Sequence, residues 1–238
     1  MKQRFAVFDI DGTLVRWQLF HTIVEQLATQ GSIDTASYAT VTELLDKWKR
    51  RTRHDSFTLY EKAVLDAWYA VLTDITQDEY MSAVETVFEQ HKDQVYRYTR
   101  DLIKELKRKK YFLIAISGSH QEIVDKIAEY YGFDYAAGSV YPTKNGKFTG
   151  EEIAPVYSKG KILQEIADKH DLAWDDCYAV GDSRSDAVMM ELVTSPIAFN
   201  PDRNLLTIAR ERHWNIVVER KNVSYELVYT KRGYILSD

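Results

Sequence analysis

Two acidic side chains stand one position apart, just after a short apolar stretch near the start of the chain. Residues 5–8 are apolar, and Asp9 and Asp11 follow them. Such a stretch is typical of a strand buried on both faces of a parallel sheet, and ligands bind at the carboxyl ends of these strands. Two carboxylates this close repel each other. The pair therefore predicts either a bound Mg²⁺ ion or a strongly raised pKa of one of the acids, and Mg²⁺ is favoured. The plainer alternative is that residues 11–13 form only a polar turn.

Three further polar clusters follow predicted strands or begin predicted helices. Residues 117–119, Ser-Gly-Ser, offer a hydroxyl and backbone N–H groups that can hold a phosphate at a helix N-terminus. Lys159 begins a predicted helix and can act as a point charge against a phosphate or a carboxylate. Asp182 and Asp186 follow another predicted buried strand. Acids, hydroxyls, N–H donors and one ammonium group at strand ends predict a site for a phosphate and a metal ion.

These four clusters, in this order, resemble the four motifs of the haloacid dehalogenase superfamily of hydrolases. The matching segments are DIDGT at 9–13, the serine at 117, the lysine at 159 and GDSRSD at 181–186. The resemblance covers residue 1 to about residue 200, and its register matches the phosphoserine phosphatase-like branch. It implies that Asp9 is the nucleophile and that Asp11 is the general acid and base. It also implies that Asp9, Asp182 and the backbone carbonyl of Asp11 hold Mg²⁺.

The same resemblance implies which residues bind the phosphoryl group. Ser117, Gly118 and Lys159 would hold its oxygen atoms, together with Thr13 from the first motif. Asp186 would lie close to the metal ion.

Several positions bear on the substrate and on the lysine role. Gln18 is expected to face the phosphate site, where phosphoserine phosphatases carry a glutamate, and Ser185 stands where they carry an asparagine. Their substrate-binding arginine has no counterpart near Ala67. The resemblance therefore supports hydrolysis but leaves phosphoserine as the substrate open. The resemblance favours Lys159 as the motif lysine, because Lys-Gly-x-Ile-Leu at 159–163 matches the phosphoserine phosphatase-like branch in register, and Lys161 is the competitor for this role.

The activity that the resemblance implies is Mg²⁺-dependent hydrolysis of a small phosphomonoester through an aspartyl-phosphate intermediate. The expected partner is a small phosphorylated metabolite. Two alternatives remain at this stage. One is a phosphotransferase that passes the phosphoryl group to an acceptor alcohol, and the other is a binding protein without catalytic activity.

The predicted fold class is α/β, with a Rossmann-like three-layer α/β/α core around a mainly parallel sheet. Four amphipathic helical stripes lie between the first two motifs and predict an inserted all-helical cap at the C1 position. The predicted boundaries are 1–14 and 93–238 for the core and 15–92 for the cap. In this family such a cap covers the active site, and the linkers at 15–17 and 91–94 are the predicted hinges.

Composition is that of an ordinary globular protein. The chain has 238 residues, of which 45% are apolar and 28% charged, and its net charge of −5 argues against generic nucleic-acid binding. No apolar run approaches the roughly 18 residues that span a bilayer, and no signal-peptide pattern opens the chain. We therefore expect a cytoplasmic enzyme that does not act at a membrane.

Three segments outside the motifs carry weaker signals. Asn145-Gly146 between strand-like runs predicts a hairpin, which is either a rim of the site or a plain connector. Basic residues crowd positions 47–54, and a solvated helix end is favoured over an anion-binding patch. The tail at 225–236 is either an edge hairpin or an association surface.

Overall fold

The computed structural model of the protein describes residues 2–51, 53–154 and 157–237, and the structural statements below concern these residues. The chain divides into two compact units. The first is built from residues 1–17, 91–139 and 154–238, and the second from residues 18–90 and 140–153.

An eight-stranded sheet forms the centre of the first unit. Its strands are β1 (Gln3–Phe8), β2 (Phe112–His120), β3 (Tyr135–Ser139), β6 (Leu172–Gly181), β7 (Ser195–Phe199), β8 (Asn215–Arg220), β9 (Val223–Thr230) and β10 (Gly233–Leu236). They lie in the order β3-β2-β1-β6-β7-β8-β9-β10. The six strands from β3 to β8 are parallel, whereas β9 and β10 pair in antiparallel fashion at the edge. The mainly parallel sheet confirms the predicted fold class.

The strand order determines where a ligand can bind. β2 pairs with β1 on one side and β6 pairs with it on the other, so the chain changes direction across the sheet at β1. Loops that follow β1 and β6 then diverge and leave a crevice at the carboxyl ends of the strands. The acids of the first and fourth motifs both lie at this edge of the sheet.

Helices flank the sheet and bury its side chains. They are α5 (Arg97–Arg108), α6 (Gln121–Tyr131), α7 (Lys159–Lys169), α8 (Ala187–Met190) and α9 (Arg203–Glu211). Phe5 and Val7 of β1 pack with Leu163 of α7 in one buried cluster. Phe8, whose side chain lies on the opposite face of β1, contacts Phe133, with ring centroids 5.9 Å apart. Both sets of β1 side chains are buried, as the continuous apolar stretch predicts.

The second unit consists of four helices and a two-stranded hairpin. The helices are α1 (Leu19–Thr29), α2 (Thr35–Lys49), α3 (Ser56–Val71) and α4 (Gln77–His91), and the hairpin strands are β4 (Thr143–Lys144) and β5 (Lys147–Phe148). The hairpin turns at Asn145-Gly146, where both residues have positive φ, so the predicted hairpin is confirmed.

The hairpin packs onto the helices of its own unit. The Phe148 ring lies 5.8 Å from Trp68 and 5.2 Å from Tyr80, and Gln77 N donates to Gly146 O at 3.0 Å. The predicted boundaries assign these residues to the core, whereas the structure groups them with the helices. The difference arises because aromatic contacts, not chain order, decide which unit the hairpin joins.

The basic cluster at 47–54 is largely matched by acids on the same surface. Lys47 Nζ lies 2.6 Å from Glu43, and Arg50 Nε lies 3.0 Å from Asp46. Both pairs are exposed and span one helical turn. This arrangement supports the favoured interpretation of a solvated helix end.

No helix in the described part of the chain combines the length and apolar character that crossing a membrane requires.

The buried His21 side chain makes the folding stability of the protein depend on pH. The imidazole is 2% exposed among aromatic rings, and burial lowers its pKa to about 4. The unfolded chain therefore binds a proton below pH 6.5 that the folded chain does not, so stability falls as the pH drops from 6.5 towards 4. We expect this residue to cost about 2 kcal/mol at pH 5 relative to pH 8.

Urea unfolding of the wild type and His21→Phe at both pH values measures this effect. The ring substitution keeps an aromatic side chain and removes the titration. An equal loss of stability on acidification in both proteins would contradict the prediction.

Candidate active site

Asp9 lies at the carboxyl end of β1, beside the end of β6. Its backbone N–H donates to Val180 O at 2.9 Å, so the parallel pairing places Asp9 next to the strand that leads into Asp182. Asp9 is almost fully buried, at 4% exposure. A carboxylate removed from water in this way needs a cation or a proton nearby.

A tight turn after Asp9 creates the space for the fourth motif. Ile10 O accepts from the N–H groups of Leu14 and Val15 at 2.9 Å. Gly12 has φ +81°, and a Cβ atom added there would lie 2.1 Å from Asp182 Oδ2. Glycine is therefore required by both the backbone conformation and the close approach of Asp182.

Lys159 joins two of the acids. Its ammonium nitrogen lies 2.7 Å from Asp9 Oδ1 and 2.6 Å from Asp186 Oδ1, and the side chain is 2% exposed. Burial acts to lower the pKa of Lys159, but the Asp186 and Asp9 carboxylates outweigh it and raise this pKa above its ordinary value. The lysine therefore carries its charge at any physiological pH. Lys161, in contrast, is exposed and lies 3.7 Å from Glu165 on the surface of α7.

Asp186 uses both carboxylate oxygens to organise the fourth motif. Oδ1 accepts from Lys159, and Oδ2 accepts from Asp182 N at 3.1 Å and from Ser183 N at 2.9 Å. Ser183 Oγ also donates to Oδ2 at 3.1 Å. With its oxygens engaged in this way, Asp186 is suited to fix the lysine and the loop rather than to bind an ion directly.

Sequence reasoning missed Ser183. Ser183 and Asp186 form a capping box at the start of the 3₁₀ turn Arg184–Asp186. A serine followed three positions later by an acid is a recognisable signal for this arrangement. The neighbouring Ser185 hydroxyl lies 2.8 Å from that of Ser183.

The Asp9, Asp182 and Asp186 carboxylates meet at one point. They each offer an oxygen atom, and these atoms lie within 4.8 Å of one another. Burial raises the pKa of Asp9 to about 7, because desolvation and the Asp186 and Asp11 charges outweigh the Lys159 ammonium. Burial, together with the Asp9 charge, also raises the pKa of Asp182 well above its usual value.

Such a surplus of negative charge fits a divalent cation. One ammonium group faces three carboxylates, and their hard oxygen atoms are the ligands that Mg²⁺ prefers. Asp182 is only half-buried, so an ion could reach its carboxylate. The residues present therefore fit the cofactor that the sequence predicts.

The second motif meets the first through Ser117 and Asp11. Ser117 Oγ donates to Asp11 Oδ2 at 2.5 Å and accepts from Ser119 N at 2.9 Å, and both side chains are buried. Gly118 is exposed and lies in the irregular end of β2, where the pairing with β3 is interrupted between Ile116 and His120. The Thr13 hydroxyl is fully buried and has no hydrogen-bond partner among the described residues.

Gln18 belongs to the other unit. It is the residue before α1, and its backbone carbonyl accepts from Thr22 Oγ1 at 3.0 Å. Its contact with a substrate stays a prediction. The other residues predicted for the site, from Asp9 to Asp186, all belong to the sheet unit.

Gly12→Ala is expected to lose activity through the collision with Asp182. Positive φ alone costs about 1 kcal/mol or more, and the added methyl group must also displace the Asp182 carboxylate. Gly31 provides a matched control, since it has φ +85° and no atom within 4 Å of an added Cβ.

Thermal unfolding and phosphatase assays of both variants separate the two effects. We expect Gly12→Ala to be destabilised at least as much as Gly31→Ala, and activity to fall, about tenfold or more, only in Gly12→Ala. Equal activity in the two variants would contradict a role for Gly12 in placing Asp182.

The chain belongs to the haloacid dehalogenase-like hydrolase family. The model of this family matches residues 6–191, which is most of the chain. This match confirms the family predicted from the four motifs. The description of this family as hydrolases agrees with the expected class of enzyme.

Several related proteins are named phosphoserine phosphatase. The one from Methanocaldococcus jannaschii is 25% identical over 97% of this chain and 99% of its own length. That from Archaeoglobus fulgidus is 27% identical over 87% of this chain, but this chain spans only 56% of its length.

Solved structures share the fold. A phosphoserine phosphatase described as a phospho-aspartyl intermediate analogue superposes with a TM-score of 0.62, at 24% identity, over 93% of this chain and 96% of that one. A protein of unknown function from Bordetella pertussis gives a TM-score of 0.69 at 21% identity, over 91% and 98% of the two chains. These likenesses establish the fold.

Proposed function

We propose that this protein is a Mg²⁺-dependent phosphatase that hydrolyses a small phosphomonoester through an aspartyl-phosphate on Asp9. The observation that carries the proposal is the convergence of Asp9, Lys159 and Asp186 with the Asp182 carboxylate at the strand ends. Phosphoryl transfer depends on positioning and on charge neutralisation. Acids from two remote motifs and a buried ammonium group, brought together at the strand ends, suit that reaction.

In the first step an Asp9 carboxylate oxygen attacks phosphorus, and the bond between phosphorus and the leaving oxygen breaks. Lys159 already holds Oδ1 of Asp9 at 2.7 Å, which fixes the orientation of the nucleophile. Asp11 gives its proton to the leaving alkoxide. In the second step water attacks phosphorus, Asp11 takes a proton from it, and the bond from phosphorus to Asp9 breaks, which releases phosphate.

Mg²⁺, held by Asp9, Asp182 and the Asp11 carbonyl, would neutralise charge on the phosphoryl oxygens. The chain itself supplies further groups for those oxygens. Lys159 brings a positive charge, Ser117 a hydroxyl and Gly118 an exposed backbone position. The buried Thr13 hydroxyl, which has no partner among the described residues, is a further donor available to a bound group.

Two observations bear on the substrate class: the names of the related proteins, and two residues of this chain that differ from those of phosphoserine phosphatases. The named relatives are phosphoserine phosphatases, and this supports a small phosphorylated metabolite as the substrate. Gln18 and Ser185 differ from the residues expected for phosphoserine, so we propose a small phosphomonoester without naming it. We further propose that residues 15–92 act as a cap that selects this substrate and that the enzyme works in the cytoplasm.

A screen of phosphorylated metabolites tests the proposal. The purified protein is assayed for phosphate release with Mg²⁺ and again with a chelator. We expect at least one small phosphomonoester to be hydrolysed only with the metal ion. Transfer to added alcohols in place of hydrolysis would support the phosphotransferase instead, and failure with every compound would contradict both enzymes.

A further inference from the structure

Two segments that connect the units lie side by side within the sheet unit. The first follows the Asp11 turn, and the second precedes α5. Tyr96 N donates to Leu14 O, and Arg16 N donates to Gln94 O, each at 2.9 Å. These bonds join the outgoing and the returning chain into a short antiparallel ladder. The predicted hinge at residues 15–17 is therefore fastened to the returning segment up to Arg16.

A buried carboxylate fastens this ladder to the sheet. Glu219, at the end of β8, is 8% exposed and accepts from Arg16 Nη2 at 2.9 Å and from Tyr98 N at 2.8 Å. Arg16 Nε donates at the same time to Val95 O at 2.8 Å. One guanidinium group thus connects the returning segment with β8. The planar fork of arginine is required here, because a lysine ammonium cannot serve both acceptors in the same geometry.

The same residue connects with the loop of the fourth motif. Glu219 N donates to Asn200 Oδ1 at 2.9 Å, and Asp202 N, two positions further, donates to Asp182 O at 2.7 Å. Glu219 therefore lies in a chain of contacts from the Asp11 turn to the Asp182 backbone. The Glu219 side chain is buried in this pair, whereas the Arg16 side chain is 43% exposed. Such a pair contributes little net stability but restricts the groups it joins to one arrangement.

We propose that Arg16 and Glu219 form a positioning pair for the active site. The pair holds the turn that carries Asp11 and the loop that carries Asp182 in register at the edge of the sheet. Neither side chain forms a hydrogen bond or ion pair with Asp9, Lys159 or Asp186, so the pair acts through the backbone. This inference rests on the proposed phosphatase activity.

A double-mutant cycle tests the pair. Arg16→Met, Glu219→Gln and the double variant are assayed as Mg²⁺-loaded protein with p-nitrophenyl phosphate, and rates are expressed per folded molecule. We expect each single change to lower kcat about tenfold or more, since small misplacements of reacting groups have effects of this size. The double variant should lose no more than the worse single variant, because the two side chains act as one unit.

Two controls separate positioning from general stability. Arg212 and Glu191 form an exposed pair with atoms 3.0 Å apart, and Arg212→Met and Glu191→Gln should leave kcat within twofold of the wild type. Arg16→Lys keeps the charge but loses the fork, and it should fail to restore kcat. Unchanged kcat in the Arg16 and Glu219 variants, additive losses, or rescue by lysine would overturn the proposal.

Amide hydrogen exchange distinguishes a failure of this inference from a failure of the proposed function. If the wild type hydrolyses no phosphomonoester, the proposed function fails, but exchange can still be measured in all the variants. We expect faster exchange at residues 94–98 in Arg16→Met and Glu219→Gln than in the control variants. Unchanged exchange there would overturn the positioning role, whatever the activity of the wild type.

Discussion

Asp9→Asn is expected to lose nearly all phosphatase activity, by about a thousandfold or more in kcat. The amide that replaces the carboxylate has almost the same shape but is a far weaker nucleophile. The substitution also removes the negative charge of one of the three carboxylates that lie close together near Lys159. Phosphate release by purified variant and wild type, at saturating Mg²⁺, measures the loss.

Asp175→Asn is a matched control for this change. Asp175 lies on β6 in the same unit, but it is exposed and lies before the carboxyl end of the strand, where the motif residues are. We expect it to retain full activity. Substantial turnover by Asp9→Asn, in protein free of contaminating phosphatase, would remove Asp9 from the nucleophile role.

Lys159→Met is expected to lower kcat about a hundredfold or more and to destabilise the metal-free protein. The methionine leaves Asp9 and Asp186 buried without the ammonium group that lies within 2.7 Å of both. Loss of one partner from a buried ionic group typically costs about 3 kcal/mol or more. Urea unfolding without metal and steady-state kinetics with Mg²⁺ measure the two effects.

Lys161→Met provides the internal comparison for Lys159→Met. Lys161 is exposed on the same helix and lies 3.7 Å from Glu165, so its removal should change neither property appreciably. A large loss of activity in Lys161→Met and a small one in Lys159→Met would reverse the assignment of the motif lysine.

The elements of the fold were predictable because their signals are local. The apolar stretch before Asp9 becomes β1, and the four amphipathic stripes become α1 to α4. The acids and the Ser-Gly-Ser turn could be placed at strand ends for the same reason. The resemblance of the four motifs to the family then implied the Rossmann-like core.

Contacts between remote residues could not be predicted in this way. Arg16 and Glu219 are 203 positions apart, and nothing in the spacing of either residue indicates the other. The hairpin strands are two residues each, and their assignment to the helical unit depends on Phe148 meeting Trp68 and Tyr80. Such packing is decided by tertiary structure.

The preference for Lys159 over Lys161 came from the family resemblance, because helical periodicity alone does not decide between them. Residues two positions apart point about 200° apart around a helix, so only one of them can face the strand ends. Periodicity predicts the helix but not which of its two polar faces meets Asp9. The structure shows how α7 is rotated about its axis, with Lys159 buried and Lys161 exposed.

Chemical trapping of the phosphorylated side chain tests the central claim most directly. The wild type is mixed with substrate and Mg²⁺, quenched in acid during turnover and reduced with borohydride, which converts an aspartyl-phosphate to homoserine. Peptide mass spectrometry then locates the product. We predict homoserine at position 9, dependent on both substrate and Mg²⁺. Homoserine at position 11, or no reduced residue at all while phosphate is being released, would contradict the account.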